Sequence, residues 1–322
     1  MANTCLDFEK PIFELEKKLA EWREFSANND IDVNGEMESL QQKIQDLMKK
    51  TYTSLTPWQR VQLARHPLRP YTLDYVAEIF TDFIELHGDR RFRDDGAIIG
   101  GFAKLDGKKV MLVGTQKGRE MKEKVHRNFG LPQPEGYRKA IRLMHLADKA
   151  GVPIVTFVDT PGAFPGVESE ERHIAEAIAV NLREMFSLKV PVVSVVIGEG
   201  GSGGAIGIGV GNRILILENA YYSVITPEGC AAILWKDRKY SEQAAAALNP
   251  TAAKLEELGI ADEVIPEPLG GAHKDYITTA KAIKKSLKHH LRELEKLSPE
   301  QLKDQRYKKF RMMGRFIEGA AE

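Results

Sequence analysis

Cysteine is almost missing from this chain: Cys5 and Cys230 stand far apart and in no CxxC pairing. That excludes a cysteine zinc site within the chain and any disulfide framework. Net charge is missing too, since 46 basic residues balance 46 acidic ones. No global field therefore steers the chain toward nucleic acid or an anionic membrane, and any basic site must be local. No apolar run approaches the ~18 residues that a membrane span needs. The start, Met1 to Lys10, lacks the apolar core of a secretory signal, so the cytoplasm is the expected compartment. Low-complexity segments and short-period repeats are also lacking. What is present is ordinary for a folded protein: 322 residues, 43% hydrophobic and 29% charged. That length suits one large core with helical appendages, or two small domains.

Helical spacing joins Phe8, Ile12, Leu15, Leu19 and Trp22, and again Met37, Leu40, Ile44 and Leu47. Turn chemistry at Asn28-Asn29-Asp30 and Asp32 to Gly35 predicts an antiparallel helical hairpin, an arm packed on a larger body or a partner. His66-Pro67-Leu68-Arg69-Pro70 breaks the run, and Thr72 reads as the N-cap of a helix carrying Leu73, Val76, Phe80 and Phe83. From Ala97 the period becomes that of strands. Ala97 to Leu105 and Lys108 to Gly114 form a hairpin through Asp106-Gly107.

A helix from Pro134 to Ala150, closed by Gly151, precedes the apolar strand Pro153 to Val158. The loop Asp159 to Gly166 then leads into a helix reaching Leu188. Pro191 to Ile197 is the next buried strand, followed by a glycine turn, a short helix and the strand Ile214 to Glu218. One more strand lies near Ile260 to Ile265. Ile283, Leu287, Leu291 and Leu294 mark a long closing helix with a basic outer face. Short apolar strands alternating with helices predict an α/β fold with a mostly parallel sheet covered on both faces. The apolar stripes of the first and last helices are candidate partner contacts.

Two loops carry candidate chemistry. Gly198-Glu199-Gly200-Gly201-Ser202-Gly203-Gly204 leaves a buried strand and enters a helix. Glycines there can take positive φ and let a ligand approach the backbone. The free N–H groups of the helix's first turn then point at any anion bound there. Gly203, Gly207 and Gly211 recur every four residues, which leaves one helix face as bare backbone for close packing. The second loop, Asp159-Thr160-Pro161-Gly162-Ala163-Phe164-Pro165-Gly166, follows the preceding strand at the end where open α/β sheets bind ligands.

Three readings compete. Gly198-x-Gly200-x-x-Gly203 spells a dinucleotide fingerprint, with Glu218 about twenty residues on, but the following helix is short for a Rossmann crossover. Ser202, His173 and Asp159 have the residue types of a hydrolase triad, although Ser202 lies in no GxSxG elbow. The third reading is an oxyanion hole without a nucleophile, in which backbone N–H groups stabilise an enolate-type anion. Such donors contribute ~3–4 kcal/mol each where charge develops. A non-catalytic scaffold role also stays open.

Ordered blocks along the chain carry a family resemblance. They include Leu6-Asp7-Phe8-Glu9-Lys10-Pro11, Arg69-Pro70-Tyr71-Thr72-Leu73-Asp74-Tyr75, Gly88-Asp89-Arg90, Gln116-Lys117-Gly118-Arg119 and Pro134-Glu135-Gly136-Tyr137-Arg138-Lys139-Ala140. To these are added both loops above, Ser223-Val224-Ile225-Thr226-Pro227-Glu228-Gly229 and Pro266-Glu267-Pro268-Leu269-Gly270-Gly271-Ala272-His273. Together they resemble, almost from end to end, the carboxyltransferase alpha subunits of multi-subunit acetyl-CoA carboxylase.

The resemblance implies a crotonase-like (ClpP/crotonase) fold with repeated ββα units, an N-terminal helical arm and C-terminal helices. It divides the chain into an arm over 1–70, a carboxyltransferase domain over 71–296 and a helical tail over 297–322. It implies transfer of a carboxyl group from carboxybiotin, on a separate carrier protein, to acetyl-CoA, giving malonyl-CoA for fatty acid synthesis. The implied partners are a zinc-finger beta subunit in an α2β2 arrangement, the biotin carboxyl carrier protein and biotin carboxylase, with no metal in this chain. By similarity, Gly203 and Gly204 form the hole for the biotin ureido oxygen. Gly162, Ala163, Phe164, Pro165, Gly166, Gly200 and Gly201 shape the pocket around it. Lys117 and Arg119 open a charged segment, Lys117 to Arg127, that reads either as a solvated face or as a contact for CoA phosphates or the transferred carboxylate. One departure stands out: the family commonly has Arg-Gly-Gln-Ser where this chain has Arg172-His173-Ile174-Ala175.

Overall fold

A computed structural model of the chain describes residues 5–29 and 34–314. Helices α1 (Lys10–Asn29) and α2 (Asn34–Thr53) run as the expected pair. Their predicted apolar positions, Ile12, Leu19, Leu40 and Ile44, share one cluster with Leu63, which seats the pair on the body. Residues 30–33 of the predicted turn between them, and residues 315–322 of the predicted tail, lie outside the described residues.

Next come α3 (Pro57–Ala64) and α4 (Thr72–Ile79), then strands β1 (Thr81–Glu85), β2 (Ile98–Leu105) and β3 (Lys108–Thr115). The middle runs α5 (Met121–His126), α6 (Pro134–Ala150), β4 (Ile154–Thr160), α7 (Val167–Glu171), α8 (Ile174–Ser187), β5 (Val192–Gly201) and α9 (Ser202–Gly209). It continues through β6 (Arg213–Leu217), β7 (Tyr221–Ser223), α10 (Pro227–Leu234), α11 (Ser241–Leu248), α12 (Ala252–Glu257) and β8 (Glu263–Ile265). Helices α13 (Tyr276–Leu294) and α14 (Pro299–Arg311) follow.

The sheet order is β1-β2-β3-β4-β5-β6-β8, with β7 lying against β5. The β1/β2 and β2/β3 pairs are antiparallel; every later pair is parallel. Two glycines show how both faces are covered. Gly100 pairs with Val113, and Gly114 with Ile99, so the two glycines point to opposite faces. A Cβ on Gly100 would meet Leu143 of α6, and one on Gly114 would meet Thr72 of α4. The central strands β4 and β5 are buried along their whole length, as expected for a parallel sheet between two helical layers. A regular ββα repeat is not what the chain forms. The β2–β3 hairpin leads to α5 and α6, but β4 and β5 each pass directly into a helix.

Local signals placed most elements well. Proline opens α6 and Gly151, at φ 65, closes it. Three expectations need correction. Thr72 is the first helical residue of α4, not its cap; its hydroxyl donates to the Thr115 carbonyl, while Asp74 accepts the Tyr71 N–H at 2.7 Å. Phe83 lies in β1, because α4 stops at Ile79 and the chain turns to pair with β2. The helix predicted to reach Leu188 is broken at His173, which sits at φ 64. A left-handed conformation costs a non-glycine residue about 1–2 kcal/mol. His173→Gly is therefore expected to be neutral to about 1 kcal/mol stabilising after the glycine entropy cost. Calorimetry checks this; a loss above about 1 kcal/mol would show that the imidazole carries a structural contact.

The stripes considered as partner contacts turn inward instead. Ile283, Leu287, Leu291 and Leu294 of α13 belong to the main core. Two buried arginines lock distant segments together. Arg69 donates to the Ile197 carbonyl at 2.9 Å and forms a doubly hydrogen-bonded pair with Glu267, which also accepts the N–H groups of Asn219 and Ala272. Arg306 of α14 has no carboxylate partner among the described residues. It donates to the carbonyls of Met185, Leu188 and Val190 and to Asn212 Oδ1, and burial pulls its pKa down to about 10.

Candidate active site

The site lies where β4 and β5 end. Their register runs Val158↔Val196 and then Thr160↔Gly200, so β5 carries two more residues than β4 over this step. Asp159 uses the slack. Its carboxylate accepts the Glu199 N–H at 2.9 Å and lies where a Cβ on Gly198 would sit, 2.4 Å from Oδ1. Lys117, at the end of β3, donates to Asp159 at 2.7 Å and to Glu199 at 2.8 Å. Glu199 in turn accepts from Arg65 and from the Tyr221 hydroxyl, both at 2.7 Å, and Arg65 continues to Glu228 at 2.5 Å.

Burial alone would raise the Glu199 pKa, but the Lys117 and Arg65 charges outweigh it and hold it at about 2. The same two carboxylates push the buried Lys117 ammonium above its ordinary value, so it stays charged. A polar pocket of about 170 Å³ opens over this network, with Lys117, Lys124, Phe129, Pro161 and Glu199 among its walls.

The glycine segment is not the turn expected. Residues Glu199–Gly201 pair with β7 and extend β5, and the first helical residue is Ser202. None of Gly198, Gly200, Gly201, Gly203 or Gly204 has positive φ; Ser202 does, at φ 50. The glycines serve close approach instead. A Cβ on Gly201 would lie 2.2 Å from the Pro161 carbonyl oxygen, and one on Gly204 would lie 2.4 Å from the Gly162 carbonyl carbon. Helix α9 thus starts in backbone contact with the proline loop. No side chain caps its first turn, so these N–H groups lack both an intrahelical acceptor and a capping oxygen. Ser202 is exposed, Gly203 half-buried and Gly204 buried.

The loop opposite is stiffened from within. The Thr160 hydroxyl donates to the Gly130 carbonyl at 2.6 Å and accepts the Gly162 N–H at 3.2 Å, and the Phe164 N–H reaches the Pro132 carbonyl at 3.0 Å. Ala163, Phe164 and Gly166 are half-buried and Pro165 is exposed, so this rim stays open. Helix α9 is held from behind by Tyr137, whose hydroxyl donates to the Gly204 carbonyl, and by Asn181, which donates to the Gly207 carbonyl. The close-packed face is Gly203 against Ile178 and Gly207 against the Tyr137 ring; Gly211 falls beyond the helix.

Two readings of the segment lose their geometry. A dinucleotide fingerprint needs a glycine turn, whereas Gly198 and Gly200 are strand residues and the Glu218 carboxylate accepts the Glu267 N–H. A triad needs Asp159 beside His173, whereas Asp159 is committed to Lys117 and Glu199. His173 shares no hydrogen bond with Asp159 or Ser202 among the described residues. Arg119 is likewise committed, to Asp74 at 2.6 Å and over the Tyr71 ring. Ile174 joins the core and Arg172 grips Glu135, so the departure at 173–175 leaves the glycine segment untouched.

Sequence reasoning missed Arg65, Tyr221 and Glu228 as members of the network. The available signal was Glu199 itself: a charge inside an apolar strand demands partners.

A family model described as acetyl co-enzyme A carboxylase carboxyltransferase-like matches residues 5–314. The acetyl-coenzyme A carboxylase carboxyl transferase subunit alpha of Geobacter metallireducens is 57% identical over 313 residues, covering 97% of this chain and 98% of that protein. The corresponding protein of Thermus thermophilus is 56% identical over 313 residues, covering 97% and 99%. Among solved structures, transcarboxylase 12S with methylmalonyl-coenzyme A bound gives a TM-score of 0.55 at 21% identity, over 67% of this chain and 41% of that one. The Pseudomonas malonate decarboxylase MdcD-MdcE hetero-dimer gives 0.55 at 16% identity, over 67% and 88%. These likenesses bear on the fold alone, which is crotonase-like. From the family match, the full-length relatives and this shared architecture together, the chain belongs to the acetyl-coenzyme A carboxylase carboxyltransferase-like family.

Proposed function

We propose that this chain is the alpha subunit of an acetyl-CoA carboxylase carboxyltransferase, and that the first turn of α9 receives the biotin ureido oxygen. The observation that carries this is the uncapped turn laid in backbone contact against a stiff loop. Donors fixed before the reaction stabilise a developing anion without reorganising. The residues fit such a group: the Gly203 and Gly204 N–H groups supply the donors. Gly162, Ala163, Phe164, Pro165 and Gly166, with Gly200 and Gly201, shape the pocket wall.

Biotin supplies the carried carboxyl group and, once that has left, a ring nitrogen able to take a proton from the acetyl methyl. The chain's own task is to position the ring and hold negative charge at its oxygen. The Lys117 to Arg127 segment serves the CoA phosphates or the transferred carboxylate. Lys117 and Arg119 already hold carboxylates, so Lys124, which has no ion pair among the described residues, supplies the free charge there.

The division into an arm over 1–70, a catalytic domain over 71–296 and a tail over 297–322 belongs to the same reading. The beta subunit, zinc-bearing and holding the thioester, docks on exposed apolar side chains: Phe129 in the pocket wall, Met121 and Val125 on the helix before it, and Val224, Ile233 and Leu234. The biotin carrier and biotin carboxylase complete the complex, and the cytoplasm is its compartment. No described helix is long and apolar enough to cross a membrane.

Reconstitution with a zinc-finger beta subunit tests the assignment. Malonyl-CoA consumption with biotin or its carrier is expected to need both chains. Full activity of the beta chain alone would make this chain a scaffold, and a shift in nicotinamide fluorescence on mixing would restore the dinucleotide reading.

A further inference from the structure

Between α6 and α8, closed at one end by the loop after β1, lies a second cleft of about 520 Å³. Its arginines differ in how their charge is met. Arg138 pairs with Asp89 at 3.0 Å, and Arg183 pairs with Glu184 at 2.8 Å. Arg142 and Arg90 find backbone carbonyls only. Arg142 donates to Gly88 O at 3.1 Å and to His87 O at 3.2 Å, and Arg90 donates to the same His87 oxygen at 3.0 Å.

Two guanidiniums therefore converge on one carbonyl, with no carboxylate bonded to either among the described residues. Burial, then the Arg90 charge, lowers the Arg142 pKa; the Asp94 and Asp89 charges act the other way without reversing it. The loop is bent to make this arrangement: Gly88 has φ 75 and Arg90 φ 65, the latter a conformation that costs a non-glycine residue energy. Asp89, between them, bonds to neither guanidinium. Its oxygens are used by Arg138 and by the N–H groups of Arg91 and Phe92.

The facing wall adds an independent observation. Asn181 of α8 is fully buried, lines the cleft, and donates both amide hydrogens to the carbonyls of Tyr137 and Gly207. Its Oδ1 accepts nothing among the described residues. Buried acceptors of this kind are rare without an unseen partner. Ile141, Ala177 and Val180 give the rest of the wall an apolar surface. Glu176 on the rim has no ion pair either, but a single exposed acid does not cancel the arginines.

We propose that this cleft binds a phosphate-bearing small molecule of nucleotide size, its phosphates on Arg90 and Arg142 and a donor group of its body on Asn181. Guanidinium forks match phosphate oxygens, and the volume falls within the range of small-molecule sites. The proposal does not depend on the assignment of the glycine segment, and its test reads binding, not turnover.

Full-length protein is titrated calorimetrically with ADP, with coenzyme A and with citrate, at about 50 mM salt where screening is modest. ADP is expected to bind saturably, and Arg142→Gln and Arg90→Gln are each expected to weaken it about tenfold or more. Coenzyme A binding more tightly with the same sensitivity would support the site and identify its ligand as the nucleotide end of the acyl carrier. Arg90→Gln, at an exposed loop position, keeps the test decisive if Arg142→Gln misfolds. Absence of saturable binding by both nucleotides, binding unmoved by the substitutions, or citrate binding as tightly as ADP would overturn the proposal.

Discussion

Gly204→Ala is expected to lower carboxyl transfer by at least about a hundredfold in the reconstituted enzyme. The cause is not a side chain filling an anion site. The added Cβ would lie 2.4, 2.7 and 2.7 Å from the carbonyl carbon, Cα and oxygen of Gly162, all of them backbone atoms. That loop cannot yield, because Thr160 ties it to Gly130 and Phe164 ties it to Pro132. Helix α9 must lift instead, and a displacement of about 1 Å in a positioned donor costs about that factor. Overpacking of this kind also costs about 1–3 kcal/mol.

Gly203→Ala separates the two effects. Its Cβ would meet only the flexible tip of Ile178, at 3.3 Å. The fold should therefore keep its stability within about 0.5 kcal/mol, and any loss of turnover there reports on the anion site itself. Normal turnover and normal melting in Gly204→Ala would remove this contact from the mechanism.

Lys117→Met should be the most destabilising single change near the site. The lysine lies between Asp159 and Glu199, whose side chains are 2% and 8% exposed. Removing it leaves a buried carboxylate without its cation, at a cost of about 3–5 kcal/mol. The pH dependence gives this loss a signature. In the native chain Glu199 has its pKa held at about 2 against an ordinary 4.5. A depressed carboxylate pKa adds stability that is fully present above 4.5 and is lost as pH falls through 2.

Without Lys117 the largest opposing charge is gone, which leaves Arg65 and the Tyr221 hydroxyl against burial, so the Glu199 pKa moves upward. The variant should therefore lose less stability than the native protein as pH falls from about 7.5 to 3, because less of the Glu199 shift is left to lose. Urea unfolding at both pH values measures this. A variant as stable as the native protein at pH 7.5 would mean the three groups do not depend on one another.

Local signals made much of this architecture legible. Pro134 and Gly151 bracket α6, Asp106-Gly107 turns the β2–β3 hairpin, and the helical periods of the arm mark its buried faces. Pairings across long separations were not legible. β5 runs on through Glu199–Gly201 because β7 arrives beside it from Tyr221–Ser223, and nothing in a glycine-rich segment announces that neighbour. The break at His173 escaped notice because its residue type does not mark a left-handed position. For the site, strand-end loops and glycines could be read in advance. Lys117 looked like a free cation because its partners lie 42 and 82 positions away. The family resemblance supplied what spacing could not, namely which of several anion-holding schemes to expect.

Arg306 carries a consequence for the order of events in folding. The carbonyls it satisfies lie 121, 118 and 116 positions earlier in the chain, so the junction from α8 into β5 stays unsealed until α14 has docked. Contacts of such long separation form late, and elements that close late are the first to open under stress. Amide hydrogens around Leu188 to Val190 should accordingly exchange with solvent sooner than those of the strand that follows. The last helix then works as a latch whose release loosens the strand feeding the glycine segment, and leaves the arm at the other end of the chain undisturbed.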